Sequence, residues 1–283
     1  MTTDKAMRPL EQWPEADRRQ IFGVFTDIDD TLTTDGAITD DALAALGRLK
    51  DAGLHVIAIT GRPVGWSLPF ARSWPVDAIV PENGSVALVR DMAHSPHGEV
   101  PVGVRRLYQQ DETTRRANFA RMQQVAQRVL REVPGSTLAR DSAGRETDIA
   151  IDHSEFAHLS TSDIARAVSI MQSEGMSATV SSIHVNAWYG GHNKLEGARW
   201  IVRELHGRNL DAERHRWAYV GDSTNDQLMF EAFANSVGVA NIRRFLPDLT
   251  HLPRYVSRYE RGAGFCEMAT LLLEPRTASR DPA

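Results

Sequence analysis

The sequence predicts an α/β fold: a doubly wound parallel-sheet (Rossmann-like) core with an inserted α+β cap domain. Three observations predict it. Short apolar runs of strand character recur at residues 21–26, 55–59, 78–80, 217–220 and 236–239, separated by segments with helical spacing. Polar residues stand directly at the exits of three of them, Asp27, Thr60 and Asp222, and in such sheets ligands bind at the carboxyl ends of strands. Between residues 85 and 189 the alternation breaks, and afterwards it resumes. The expected boundaries are therefore 1–84 and 190–283 for the core and 85–189 for the insert.

Composition narrows the function classes. The chain has 283 residues, a formal charge of -5, 42% hydrophobic and 24% charged residues, which fits a globular protein of about two domains. That charge leaves no basic footprint for nucleic acid, and no apolar run approaches the roughly 20 residues of a membrane helix. A lone Cys266 excludes an internal disulfide framework and fits a reducing compartment, so the expected location is cytoplasmic. Only Lys5, Lys50 and Lys194 are lysines, against 29 arginines.

In order, residues 1–20 read as a loosely ordered lead-in to the strand at 21–26. Thr39 stands before Asp40 and Asp41 as the cap of a helix closed by Gly53. The strand His55–Ile59 ends in Thr60-Gly61-Arg62-Pro63, a helix follows over 65–73, and Ala78–Val80 runs into Pro81-Glu82-Asn83-Gly84. In the insert, Ser85–Val89 reads as a strand, 91–104 as a loop carrying His94 and His97, and Glu112–Glu132 as an Arg-rich solvated helix. A mixed strand at 146–152, a helix capped by Ser160, and strands at 178–180 and 183–187 complete it. The core resumes with a helix opened by Lys194, the strand Trp217–Val220 followed by Gly221-Asp222-Ser223-Thr224-Asn225-Asp226, a helix at 228–233, a strand at 236–239, and a last strand and helix at 254–257 and 262–273. The tail after Glu274 is expected to fray.

The chemistry concentrates at strand ends. Asp27, Asp29 and Asp30 crowd one exit, and like charges so close require a cation. An extended chain would aim Asp27 and Asp29 the same way. Asp222 and Asp226 add carboxylates at a second exit, giving an oxygen-rich set suited to a hard ion such as Mg²⁺. Thr60 offers a hydroxyl. Lys194, where the chain departs from its habit of using Arg, offers a compact charge at a helix start that itself favours anions. A calcium loop starting at Asp27 would need Gly and Glu where Leu32 and Ile38 stand.

Asp27-Ile28-Asp29-Asp30-Thr31, Thr60, Lys194 and Gly221–Asp226 together resemble the four motifs of the haloacid dehalogenase-like superfamily. The position of the insert, and Gly238-Val239-Ala240-Asn241 followed by Gly264-Phe265, resemble its subfamily IIB, which contains sugar-phosphate phosphatases and phosphomannomutases. The resemblance implies that Asp27 is the nucleophile forming an aspartyl-phosphate and Asp29 the acid/base. It implies that Asp27, Asp29 through its main-chain carbonyl, Asp222 and Asp226 hold Mg²⁺. Thr60 and Lys194, with Gly61 and Arg62 nearby, would grip the phosphoryl group. Asn225 would support the metal shell, and Asp226 could alternatively cap the following helix. The usual Gly of the first motif is replaced by Asp30, for which no catalytic task is evident; its side chain is expected to face the turn leading away. In the insert, Arg145, Asp148, His184 and Asn186 are the candidates for contact with a phosphorylated sugar. His184, Asn186 and Trp188 alternate onto one strand face. The expected function is a Mg²⁺-dependent sugar-phosphate phosphatase. The alternatives are a phosphomannomutase-like phosphotransferase, whose second phosphate Arg145 and the helix arginines could hold, and a catalytically silent binding protein.

Overall fold

A computed structural model describes residues 7–95 and 98–277. The chain divides into two compact units, one of residues 1–60, 73–79 and 198–283 and the other of residues 61–72 and 80–197. These divisions differ from the expected 84/85 and 189/190 in that residues 61–72, 80–84 and 190–197 group with the second unit.

The first unit is built on a parallel sheet. Its strands lie in the order Arg8–Pro9, Tyr255–Val256, Asn235–Gly238, Trp217–Gly221, Gly23–Thr26, His55–Ile59 and Ala78–Val80. Gly23–Thr26 is central, paired in parallel register with Trp217–Val220 on one side and His55–Ala58 on the other. Every residue of Gly23–Thr26 and Trp217–Gly221 is buried, so both strands read as continuous apolar runs rather than alternating ones. The helices of this unit include Asp40–Asp51, the part of Lys194–His206 from Ala198 onward, Gln227–Ala232 and, after the last strand, Arg261–Thr277. Thr39 occupies the N-cap position of the first of these, but its hydroxyl caps no backbone N–H.

The lead-in is not loose over its described part. Arg8–Pro9 pairs with Tyr255–Val256, Trp13 is buried and stacks on Tyr255 at 5.6 Å, and a helix spans Glu15–Gln20. Trp13 Nε1 donates to Asn235 at 3.1 Å, which ties the segment to the sheet. Residues 1–6 lie outside the described residues. The last helix runs through Glu274 to Thr277 instead of fraying there, and residues 278–283 lie outside the described residues.

The second unit has its own core. A four-stranded antiparallel sheet, ordered Ser177–Val180, His184–Trp188, Ile149–Asp152, Thr137–Leu138, carries the helices Glu112–Glu132 and Thr161–Ser173. Met122, Val125, Val129, Ile149, Ile151, Met171 and Val185 are buried in one apolar cluster. Asp111 and Ser160 cap the two helices, accepting from the N–H groups of Thr114 and Asp163. The stretch expected to be a loop is a hairpin of two long strands, Val86–Ser95 and Gly98–Tyr108, with a register shift at Asp91/Met92. His94 is therefore on a strand, and His97 lies outside the described residues. No helix among the described residues is long and apolar enough to cross a membrane.

Candidate active site

In the first unit, Asp27 is the first residue beyond the central strand. Its N–H donates to Val220 O at 2.9 Å, so the exits of the two neighbouring strands are pinned side by side. The chain then wraps around a single acceptor: Thr31, Leu32 and Thr33 all donate their N–H to Ile28 O at 3.3, 2.9 and 3.0 Å. That wrap needs a left-handed residue, and Asp30 supplies it at φ +54°. Asp is among the side chains that tolerate this region, so the replacement of Gly is conformationally admissible. Because the chain turns after Thr26, strand alternation does not govern Asp29.

Asp27, Asp222 and Asp226 form one group in which one carboxylate oxygen from each lies within 4.8 Å of those of the other two. All three are buried, at 4%, 1% and 0% exposure. Buried carboxylates repel and are poorly solvated unless a cation joins them, and an all-oxygen donor set fits a hard divalent ion such as Mg²⁺. Asp226 is already a heavily used acceptor. One of its oxygens takes the N–H groups of Asp222 and Ser223 at 2.9 and 3.1 Å, the other the Tyr219 hydroxyl at 2.5 Å. Asp226 thus also shapes the loop that carries Asp222. Burial, reinforced by the charge of Asp226, pushes Tyr219 well above its ordinary range and keeps it a neutral donor. Gly221 is required here: a Cβ would sit 2.5 Å from the Asp226 carboxylate. Asn225 accepts from the Ser223 hydroxyl at 3.0 Å. Thr60 is fully buried and follows the strand His55–Ile59 directly.

An amide and a cation at this site were not singled out as functional from the sequence. Asn241, 1% exposed, donates to Asp222 Oδ2 at 2.9 Å and to Asp30 O at 3.0 Å. Arg261 N donates to Asn241 Oδ1 at 2.9 Å, and its Nε lies 3.1 Å from the Asp30 carboxylate. The side chain of Asp30 therefore faces the start of the C-terminal helix rather than the turn leading away.

In the second unit, the sheet face opposite the helices carries Asp148, Asp152, His184 and Asn186. They belong to a dense polar network. Arg145 Nη1 donates to Asp148 at 2.7 Å and to Gly61 O at 3.0 Å, and Nη2 reaches Asp141 at 3.2 Å. Asn186 donates to Asp148 and to Gly61 O, both at 3.2 Å. Arg62 bridges Asp141 at 3.1 Å and Glu155 at 2.9 Å, and His184 Nε2 pairs with Glu155 at 2.9 Å. Burial lifts Asp148 to about 7, against the pull of Arg145 and with a further push from Glu82. Glu155 falls to about 2 despite burial, because His184 and Arg62 hold its ionised form. Asp152, Glu155 and His184 also have metal-ligand spacing. Arg62 already supplies the cation there, and Asp152 is engaged by the N–H groups of Glu155, Phe156 and Ala157.

Glu82 anchors this network. It is fully buried and accepts from Val64 N at 3.1 Å, Glu146 N at 3.0 Å, and Thr147 N and Oγ1 at 2.5 Å each. Burial raises its carboxyl. The run Pro81-Glu82-Asn83-Gly84 was visible in the sequence, but nothing there assigned Glu82 these partners. Lys194 is buried and opens its helix, with Asn193 Oδ1 accepting from the N–H groups of Leu195 and Glu196.

Against known proteins, residues 24–97 match the family model described as haloacid dehalogenase-like hydrolase. No curated protein matches the chain. Among solved structures, a Thermoplasma acidophilum protein superposes with a TM-score of 0.65 at 16% identity, covering 89% of this chain and 98% of its own. The sucrose-phosphatase of Synechocystis, solved with sucrose and phosphate, gives 0.60 at 16% identity over 89% and 98%. A trehalose-6-phosphate phosphatase related protein gives 0.57 at 15% identity over 91% and 99%. At these identities the likeness is one of fold.

Proposed function

We propose that this chain, haloacid dehalogenase-like in its fold and in residues 24–97, is a Mg²⁺-dependent phosphatase that hydrolyses a sugar phosphate. The observation that carries the reading is the buried group Asp27, Asp222 and Asp226, with one oxygen of each inside 4.8 Å. A divalent ion held there would neutralise charge on the phosphoryl oxygens and on the attacking carboxylate. Asp27 attacks phosphorus, the bond to the sugar oxygen breaks, and Asp29 gives that oxygen its proton. Asp29 then takes a proton from the water that attacks the aspartyl-phosphate, releasing phosphate and restoring Asp27. Thr60 and Lys194, matched to the second and third motifs, bind the phosphoryl oxygens. The network of Arg62, Arg145, Asp148, His184 and Asn186 provides the mixed donors and acceptors that sugar hydroxyls require, and the second unit selects substrate. Two structures of similar fold, a sucrose-phosphatase and a trehalose-6-phosphate phosphatase related protein, agree with a sugar phosphate.

The phosphotransferase alternative needs free cations for a second phosphate. Arg145 is engaged by Asp148 and Asp141, and Arg62 by Asp141 and Glu155, so a second phosphate would have to rely on the arginines of Glu112–Glu132; this favours hydrolysis. The test is phosphate release from a panel of mono- and disaccharide phosphates with and without Mg²⁺. We expect Mg²⁺-dependent release from at least one, lowered by 10³-fold or more (order of magnitude) in Asp27→Asn. Near-normal turnover in that variant sinks the nucleophile assignment. Sugar bisphosphate stimulation with little phosphate released would favour the mutase, and silence across the panel the binding protein.

A further inference from the structure

We propose that Asn241 is the positioning residue of the metal site: it fixes the rotamer of Asp222 and the path of the Asp30 turn through one amide. This rests on the metal site proposed above. The side-chain amide is buried and placed between the loop after Gly221, the Asp30 turn and the start of the last helix. Its Nδ2 donates both to Asp222 Oδ2 at 2.9 Å and to Asp30 O at 3.0 Å, and its Oδ1 accepts from Arg261 N at 2.9 Å. Only this orientation of the amide satisfies all three partners. Each of them alone could be met by another residue; the three together demand a planar group with two donors and an acceptor, which among side chains of this length is Asn.

The surroundings hold the amide still. Asp30 and Arg261 both sit in the left-handed region, at φ +54° each, which is costly for side chains other than Gly. They are joined by their ion pair at 3.1 Å, and Arg261 Nη1 donates to Asp35 at 2.6 Å. The loop after the first motif, the strand exit at Asn241 and the start of the last helix thus close into a ring: Asp222, Asn241, Arg261, Asp30 and back to Asn241. With one Asp222 oxygen held by Asn241, the carboxylate is presented in one orientation toward Asp27. Metal affinity depends on such outer partners, whose loss costs about 10–100-fold.

The experiment is Mn²⁺ binding to the purified protein by titration calorimetry, read without substrate. We expect Asn241→Ala, with circular dichroism unchanged, to bind Mn²⁺ about tenfold or more weakly. Asn241→Ser, which keeps a hydroxyl unable to reach both acceptors, should fall in the same direction should the alanine variant fold poorly. Asp30→Gly and Arg261→Gly break the ion pair but keep the main-chain partners and the backbone conformation, and should weaken binding less than Asn241→Ala does. Asp222→Asn is the control. Weak binding in Asp222→Asn with parental binding in folded Asn241→Ala and Asn241→Ser overturns the positioning role alone. Parental binding in Asp222→Asn overturns the metal site and this proposal with it.

Discussion

Tyr219 and His192 show how single side chains set limits on the two units. Tyr219 is a buried donor whose hydroxyl has one acceptor, Asp226. Tyr219→Phe removes the donor and leaves a carboxylate oxygen short of one partner. The expected loss is about 1–3 kcal/mol of stability, together with lower turnover because the loop Gly221–Asp226 is less constrained. Denaturant unfolding and phosphate release at saturating Mg²⁺ measure the two. His192 stacks on Trp188 at 5.3 Å and is pushed down to about 4 by burial alone. A histidine depressed in the folded state binds its proton in the unfolded chain first. Its contribution is therefore complete above about 6.5 and lost as pH falls toward about 4, amounting to roughly 3 kcal/mol at 1.36 kcal/mol per unit. In His192→Phe the acid slope between those values should shrink. At this scale the sequence exposed Asp27, Asp222 and Asp226, because their chemistry is written in local spacing. It hid the task of Asp30, whose partner Arg261 comes near the other end of the chain. It also hid Asn241, quoted in Gly238–Asn241 yet meaningful only once its amide meets Asp222.

At the scale of elements, the turn Pro81-Glu82-Asn83-Gly84 is the most constrained in the second unit. Three consecutive residues have positive φ, +49°, +55° and +103° for Glu82, Asn83 and Gly84. The cost of a left-handed Glu, about 1–2 kcal/mol, is offset by a carboxylate that gathers the N–H groups of Val64, Glu146 and Thr147. Glu82→Gln sets an amide NH₂ against a backbone N–H and forfeits one acceptor, so a loss of ~3 kcal/mol is expected, read as a lower denaturant midpoint. Substitution of Glu146, whose main-chain N–H alone is used here, should leave this anchor intact. The strand-and-helix order of the first unit was readable because fully buried strands leave unbroken apolar runs. The hairpin Val86–Tyr108 was not. Gly98, Pro101 and Gly103 punctuate it as they would a loop, and cross-strand pairing, which no local pattern records, overrides them: Met92 faces Pro101 and Asp91 faces Gly103. The lead-in was misread for the same reason, since Trp13 is ordered by Tyr255 and Asn235.

For the whole molecule, the two units carry separate stabilising levers. In the proposed reading a metal would act through Asp27, Asp222 and Asp226 in the first, and a ligand bound only by the folded form stabilises by about 2.7 kcal/mol at a hundred times its dissociation constant. Proton binding acts through Asp148 and His192 in the second. Asp148 is raised, so the sign is opposite to that of an ordinary ion-paired carboxylate. Its favourable neutral form is fully present below about 3.8 and lost as pH rises through about 7. Each unit has its own buried core, and chains of this kind commonly depart from a single cooperative transition. Tryptophans report on both: Trp13, Trp74, Trp200 and Trp217 are buried in the first unit and Trp188 in the second. Unfolding followed with Trp188→Phe and with Trp217→Phe should therefore resolve two transitions. Mg²⁺ should raise the one that Trp13 and Trp217 report, and EDTA or Asp222→Asn should cancel the rise. Asp148→Asn should flatten the pH dependence between about 4 and 7 of the one that Trp188 reports, and leave the Mg²⁺ response unchanged. A single transition moved by both levers in every variant would mean that the two cores unfold as one cooperative body.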